Sequence, residues 1–530
     1  MLLAALLCAC GHTVTITDFA IVPEPVSVEM GQGSYAIKRS VELAVSGLGQ
    51  NSPTAKYIMN SLRQAHLHPS LVSLSDKSDI ELVVNDTIDS ELGNEGYRIV
   101  VSATGVRLSA NTETGLLYAY QSFVQMVPPD VLDRTYRTIV LPECTVVDYP
   151  RFEWRGAHLD ACSHYMPVKV VKRYLDAMGS FKLNRFHWQL VDSNAWRLPC
   201  QPLWTADSSA PRYTSEEIAD VVSYAAALGI EVIPGIEIPL VDSLISDTNA
   251  LNAVAVTVTS LFPSSYIHMG HPIAAYSRWA AVDSALAARE RTPMLWVGDK
   301  AYEHGRKAPF FFGLRTVATA LDPAVGTSMA SIGLQVVMCP SDFCALDRYQ
   351  ADPRYQPQAN DGLLTLAQTY GFDPVPKEAN LFVARNIIGG QCILATTHIT
   401  NQQEAEYMLL PRLLAISECL WSQPAAKNWN RFRKKVETLK IRLASKGYAY
   451  CEGSFKPIFR ATRVDNHVTN IAIETEVPNT YIFYTTDMST PTRNSPVYIG
   501  PINLARNTHI KILPVYKDHE RDSVYEYIIK

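Results

Sequence analysis

Residues 154–197, WRGAHLDACSHYMPVKVVKRYLDAMGSFKLNRFHWQLVDSNAWR, constrain the fold more than any other stretch. They read as strand, loop, helix, strand, loop. Val168, Val171, Leu175 and Met178 recur at steps of three, four and three, the spacing of one helical face. Arg185-Phe186-His187-Trp188-Gln189-Leu190 then alternates polar with aromatic or apolar residues, the period of a strand. A parallel strand ending there delivers Asp192 and Trp196-Arg197 toward a pocket.

The alternation continues to about residue 447. Thr214-Ser215-Glu216-Glu217 has the form of a capping box, in which Thr214 caps the chain start and Glu217 reaches back. Ile218, Val221, Val222, Ala225 and Leu228 follow on one helical face, with Gly229 as the stop. Further strands are expected over residues 230–234, 266–270, 294–297, 334–339 and 387–390. Helices are expected over 404–420, kinked at Pro411, and over 430–445, ended by Gly447. This pattern predicts an α/β architecture, a (β/α)8 TIM-type barrel over residues 149–450.

The flanks differ in character. Residues 15–148 mix short β-branched runs, such as 80–84 and 97–101, with helical stretches such as 54–65. They read as an N-terminal α/β, sandwich-like domain without a chemistry-bearing cluster. Beyond residue 454 helical spacing stops. Alternating runs at 469–475, 481–485, 509–515 and 523–529 predict a C-terminal unit of short strands over 454–530, for which the resemblance given below implies a small β-sandwich. Residues 1–10, MLLAALLCAC, end in Leu7-Cys8-Ala9-Cys10. They are expected to be a signal with a lipobox and Cys10 as the lipidated residue, a truncated secretory signal or a chance apolar start being the other reading. The lipobox reading places the protein across the inner membrane as a periplasmic or outer-membrane lipoprotein, touching the membrane only through its lipid anchor.

A net charge of −5 over 530 residues leaves no basic footprint for nucleic acid. Beyond Cys10 the cysteines stand at 144, 162, 200, 339, 344, 392, 419 and 451, with no C-x-x-C pair. That spacing predicts no zinc or other metal site. Cys339 and Cys344 are a candidate bridge, and the others read as buried thiols. No G-x-S-x-G, H-E-x-x-H or P-loop motif points to another chemistry, and no cofactor is expected.

Arg155-Gly156, Asp160, Lys182-Leu183-Asn184, His187-Trp188, Asp192 and Trp196-Arg197 match RG-x-x-x-D followed by K-L-N-x-x-H-W-H-L-x-D-x-x-G-W-R. On these residues the chain resembles glycoside hydrolase family 20, the β-N-acetylhexosaminidases. Ser163 stands where the family has Arg, and Gln189 replaces its second His. Ile21-Val22-Pro23-Glu24-Pro25, Glu95-Gly96-Tyr97-Arg98-Ile99 and the run from Thr114 to Gln121 resemble the family's N-terminal domain. The runs 482–487 and 490–492 resemble the β-sandwich appended to some bacterial members. The resemblance implies an N-acetylhexosamine-containing glycan as ligand and a substrate-assisted mechanism. In it a Glu protonates the leaving oxygen and the preceding Asp orients the acetamido group.

The chain departs from that pattern where the chemistry belongs. The family's H-x-G-G-D-E reads His268-Met269-Gly270-His271-Pro272-Ile273, so Pro272 and Ile273 occupy the catalytic positions, and neither can donate a proton or carry charge. I-P-E-I-D-x-P-G-H reads from Ile233 to Val241 without its Glu and His. GWDE keeps only Trp296, YLD begins with Ala345, and the GGQ run ends in Ala395-Thr396-Thr397. No catalytic residue is therefore assigned. Arg155, His187, Asp192 and Trp296 are the candidate sugar-binding residues. Against them stand a buried ion pair of Arg155 with Asp160 or Asp192, structural roles for His187 and Asp192, and a core role for Trp296. Glu237 and Asp242, nearest a strand end, are the candidate substitute acids, and His271 faces the former catalytic position. The expected function is a catalytically inactive relative that binds a glycan or partner. The alternatives are an active hexosaminidase with relocated acids and a structural or assembly lipoprotein.

Overall fold

The computed structural model describes residues 12–15, 19–49, 52–73, 77–127, 136–200, 210–237, 248–271, 283–298, 315–453, 457–477, 480–516 and 523–529. Cys10, Asp242, Pro272 and Ile273 lie outside these residues. Among the described residues no helix is long and apolar enough to cross a membrane.

The centre of the molecule is a closed barrel of eight parallel strands. In chain order they are Trp154–Asp160, Arg185–Val191, Glu231–Ile236, Tyr266–His268, Thr292–Val297, Val317–Ala320, Gln335–Met338 and Ile387–Leu394. The last pairs with the first, closing the sheet. Seven of these strands were expected from the sequence. The sixth, VATA, was not, because four small or β-branched residues carry no period; all four are buried, as a parallel barrel strand requires.

Helix boundaries follow local chemistry. Thr214 Oγ1 accepts from the Glu217 N–H at 3.2 Å while Glu217 Oε2 accepts from the Thr214 N–H at 2.9 Å, a complete capping box for the helix Ser215–Ala227. Pro411 does more than kink its helix. Proline has no N–H and its ring collides with the preceding turn. The expected single helix is therefore two, Gln402–Leu409 and Arg412–Trp421. Cys339 and Cys344 do not bridge: both are free, buried thiols, and Cys339 Sγ donates to the Ala320 carbonyl at 3.3 Å.

The N-terminal unit is an eight-stranded mixed sheet with the helices Pro53–Gln64 and Glu113–Met126. Its core is continuous with Trp421 at the end of a barrel helix. The C-terminal unit is a pair of three-stranded antiparallel sheets around Ile471, Ile473, Ile482, Ile510, Ile512 and Ile529. The strands Ile458–Arg463 and Ile502–Ala505 complete it beyond the four expected.

Candidate functional site

The barrel lumen is stacked in layers, because inward positions recur every second residue. Trp154, Ile233, Met294, Val317, Val337 and Ile388 form an apolar floor with Tyr266 against them. Further along the same strands come His158, His187, His268, Trp296 and Thr319, all buried. At the C-terminal ends come Asp160, Asp192, Glu237 and His271.

The middle layer is a plug of rings. Ring centroids lie 4.6 Å apart for His158 and His187, 4.2 Å for His187 and His268, and 4.5 Å for His268 and Trp296. Trp296 lies 5.5 Å from His187 and 5.8 Å from His158. Burial pushes His158 down to about 4, against the opposing pull of Asp160 and Glu237. Burial, reinforced by neighbouring imidazoles, holds His187 and His268 well below the usual range. All three are neutral at pH 7. The Gly270 N–H donates to His268 Nδ1 at 3.1 Å, which leaves any proton on Nε2. Gly235 makes room for this layer: a Cβ there would lie 2.4 Å from Gln189 Oε1 and 2.8 Å from His187 Nε2.

Above the plug, the carboxylates are already committed. Asp160 Oδ1 accepts from the N–H groups of Cys162 at 2.6 Å and Ser163 at 3.1 Å. Its Oδ2 accepts from Thr396 N and Oγ1, both at 3.1 Å, tying the loop after the first strand to the loop after the last. Asp192 Oδ1 accepts from the N–H groups of Asn194 and Ala195. Burial raises the Asp192 pKa, and the neighbouring Asp160 and Glu237 push the same way. Glu237 Oε1 lies 2.7 Å from His271 Nδ1. This pair depends on Gly270, whose φ is +75° and where a Cβ would lie 2.3 Å from Glu237 Cγ.

One group of described residues, Asp160, Cys162 and Asp192, has ligand-type atoms within 4.8 Å of one another. It makes a poor metal site. Asp160 already accepts four hydrogen bonds, and burial next to two carboxylates keeps the Cys162 thiol protonated.

The structure therefore separates the predicted residues. Asp192, Glu237 and His271 meet at the mouth. His187, 1% exposed, and Trp296, 7% exposed, belong to the plug below it, which is the structural reading of both. Arg155 requires correction: it neither faces a sugar nor pairs with Asp160 or Asp192. Asp160 is five residues further along the same strand, a rise of roughly 16 Å. Arg155 sits at the opposite end, where all five of its donors are used. Nε donates to Lys182 O, Nη1 to Glu95 Oε2 and Phe152 O, and Nη2 to Glu95 Oε1 and Tyr118 Oη. Sequence reasoning missed His158 and His268 as members of the plug. The step of two from Trp154 and from Tyr266 could have found them. Glu95, sixty positions from its partner, had no such signal.

Known proteins agree with this architecture. Residues 152–241 and 281–424 match the model described as glycosyl hydrolase family 20, catalytic domain, and residues 18–149 match family 20, domain 2. Residues 471–526 match Fn3 associated. A β-hexosaminidase of Porphyromonas gingivalis is 26% identical over 93% of this chain and 72% of its own length. One from Vibrio furnissii is 26% identical over 75% of this chain and 76% of its own. In structure, the Streptomyces plicatus N-acetyl-β-hexosaminidase in complex with Thio-NAglucal superposes with a TM-score of 0.71 at 22% identity, covering 82% of this chain and 96% of that one. With the two family 20 models together spanning most of its length, the chain belongs to glycosyl hydrolase family 20, the β-hexosaminidase-like proteins of N-acetylhexosamine-containing glycans.

Proposed function

We propose that this chain is a non-catalytic member of its family that binds an N-acetylhexosamine-containing glycan at the barrel mouth. The observation that carries this is the run His268-Met269-Gly270-His271-Pro272-Ile273, with two side chains incapable of proton transfer where the family motif has Asp-Glu. Two further facts support it. The family's catalytic-domain model matches on either side of residues 242–280 but not across them. The described mouth carboxylates Asp160 and Asp192 are held by backbone N–H groups of their own loops. Loss of a general acid alone costs roughly 10²–10⁴-fold in rate.

The test is incubation of purified protein with a chromogenic β-N-acetylglucosaminide, next to calorimetric titration with chitin oligosaccharides. Binding without turnover is the expected result. Turnover that co-purifies with the protein overturns it. A complete lack of sugar binding points instead to a structural or assembly role.

One observation favours a second reading. Glu237 and His271 form a carboxyl–imidazole pair at a strand end, within proton-transfer distance of each other. If the protein turns over substrate, Glu237→Gln and Asp242→Asn identify which carboxyl has become the acid. We also propose lipidation at Cys10, for which loss of palmitate incorporation in Cys10→Ala is the check.

A further inference from the structure

A cavity of about 300 Å³ lies away from the barrel mouth, in the seam between the barrel and the C-terminal β domain. Its size is at the small end of ligand sites, room for one ring. Four aromatic side chains line it: Tyr407 and Tyr450 from the barrel side, Phe459 and Tyr525 from the β domain. The wall behind Phe459 is braced by a second ring and a guanidinium. The Phe459 ring stacks on Tyr527 at 5.2 Å with 13° between planes, and the Arg354 guanidinium lies over Tyr527 at 4.1 Å. Arg354 is held in turn by Asp352, with Nε 3.0 Å from Oδ1 and 3.1 Å from Oδ2. Gly453 lets the two domains close here, since a Cβ at that position would lie 2.5 Å from Ala351 Cβ.

The polar lining decides the ligand class. Asp352, Glu452 and Glu526 supply acceptors, but two of them are already engaged, Asp352 by Arg354 and Glu526 by His509 at 2.8 Å. The wall is therefore no strong cation trap. Gln356 adds the opposite need. Its Oε1 accepts from the Gln350 N–H at 3.0 Å, and its buried Nε2 is left without a partner. A buried amide N–H calls for an acceptor, which an ammonium group lacks. Aromatic faces beside a carboxylate and an unused amide donor fit a neutral ring with C–H faces, hydroxyl donors and an oxygen acceptor.

From this lining we propose that the seam is a carbohydrate-binding site for a single neutral sugar residue, separate from the barrel mouth. It holds the ring between the Phe459 and tyrosine walls, with Glu452 accepting from a hydroxyl and the Gln356 amide, whose Nε2 is closed off and unpaired, turning to donate to a sugar oxygen. This does not depend on how the mouth itself functions.

The test uses the full chain and calorimetric or ligand-observed NMR titration with N-acetylglucosamine, galactose and, as the cationic comparison, choline. Gln356→Leu keeps the shape and removes the donor, and Phe459→Ala removes one wall. Each is expected to weaken binding of at least one of the two sugars tenfold or more, with the Gln356→Leu protein melting as the wild type does. Glu237→Ala, which alters the mouth, is expected to leave a sugar-binding component that Gln356→Leu and Phe459→Ala still weaken when combined with it. The proposal is overturned if sugar affinity does not move in Gln356→Leu and Phe459→Ala, if it is lost only in Glu237→Ala, or if choline saturates the protein and neither sugar does.

Discussion

The bottom of the barrel and its mouth both bury ionisable side chains, and they satisfy them by different means. At the bottom, opposite charges meet across domains. Arg155 and Glu95 are 2.7 Å apart, and Lys182 and Asp148 are 3.4 Å apart with both side chains fully buried. Asp148 also accepts from the Trp421 indole at 2.9 Å and from the Tyr97 hydroxyl. Burial lowers Lys182 to about 8 and raises Asp148, so desolvation opposes charge on both partners while each stabilises the other. At the mouth the carboxylates of Asp160 and Asp192 take N–H groups of their own loops, and burial keeps the imidazoles beneath neutral. The difference shows what the family resemblance records. Arg155, Lys182 and Asn184, which match the family pattern, serve the docking of the N-terminal domain. They are evidence of fold, and a barrel's chemistry is built at its other end.

The largest expected effect tests the bottom. Glu95→Ala leaves the Arg155 guanidinium, 1% exposed, without its carboxylate. Breaking such a pair by removing one partner costs about 3–5 kcal/mol. The urea midpoint should fall accordingly, and the double variant Glu95→Ala/Arg155→Met should recover part of the loss by removing the stranded charge. A loss under about 1 kcal/mol in Glu95→Ala would mean that the bottom is not held by its ion pairs.

The plug is tested by pH. His158, His187 and His268 have folded-state values below the ordinary 6.5. Their contribution is present above about pH 6.5 and is lost as pH falls toward the folded values, because the unfolded chain takes up protons the folded chain refuses. Glu418 and Glu476, pushed up to about 7 by burial, act in the opposite direction. Their contribution is complete below about pH 4.5 and is lost as pH rises to 7. The two groups offset each other in the wild type, so the informative quantity is a difference between proteins. Between pH 6.5 and 5.5, His268→Asn should lose less stability than the wild type, the gap approaching about 1.4 kcal/mol per pH unit for one proton. Parallel slopes in urea titrations at the two pH values would contradict a neutral, buried His268.

How much of this was legible in the sequence depended on the range of the interaction. The capping box at Thr214 and Glu217 is complete within four residues, and it was read correctly. Seven of eight barrel strands were visible, the second from its alternation and later ones from short apolar runs; VATA is too short to show either. Pro411 was seen as a disturbance, while the full break needed the backbone of the neighbouring turns. The reading of Pro272-Ile273 in place of an acidic pair rests on a motif alone, and both residues lie outside the described ones. Arg155 was misassigned because its role is fixed by Glu95, Tyr118 and Phe152, of which two lie in another domain. The imidazole plug was missed for a related reason. Its members come from four strands, and no local pattern announces that their rings meet.

A smaller effect sharpens the mouth. Gly270→Ala places a Cβ 2.3 Å from Glu237 Cγ on a backbone with φ +75°. Left-handed strain alone costs about 1–2 kcal/mol, and the Glu237 side chain has to move away from His271. The expected outcome is a modest fall in the urea midpoint together with a shifted His271 imidazole resonance. An unmoved resonance would show that the pair does not need the glycine.

The smallest effect comes from the pair itself. Glu237→Gln keeps the shape and one hydrogen-bonding oxygen but removes the charge facing His271. Both side chains are partly exposed, 21% and 15%, and so remain open to solvent screening. The change in unfolding free energy should stay under about 1 kcal/mol, the range of screened ion pairs, several-fold below that of Glu95→Ala. A mouth pair that cost as much as the bottom pair would have to be counted as part of the scaffold. One that costs little is free to serve binding, and then Glu237→Gln should show itself in the chitin oligosaccharide titration rather than in the melt.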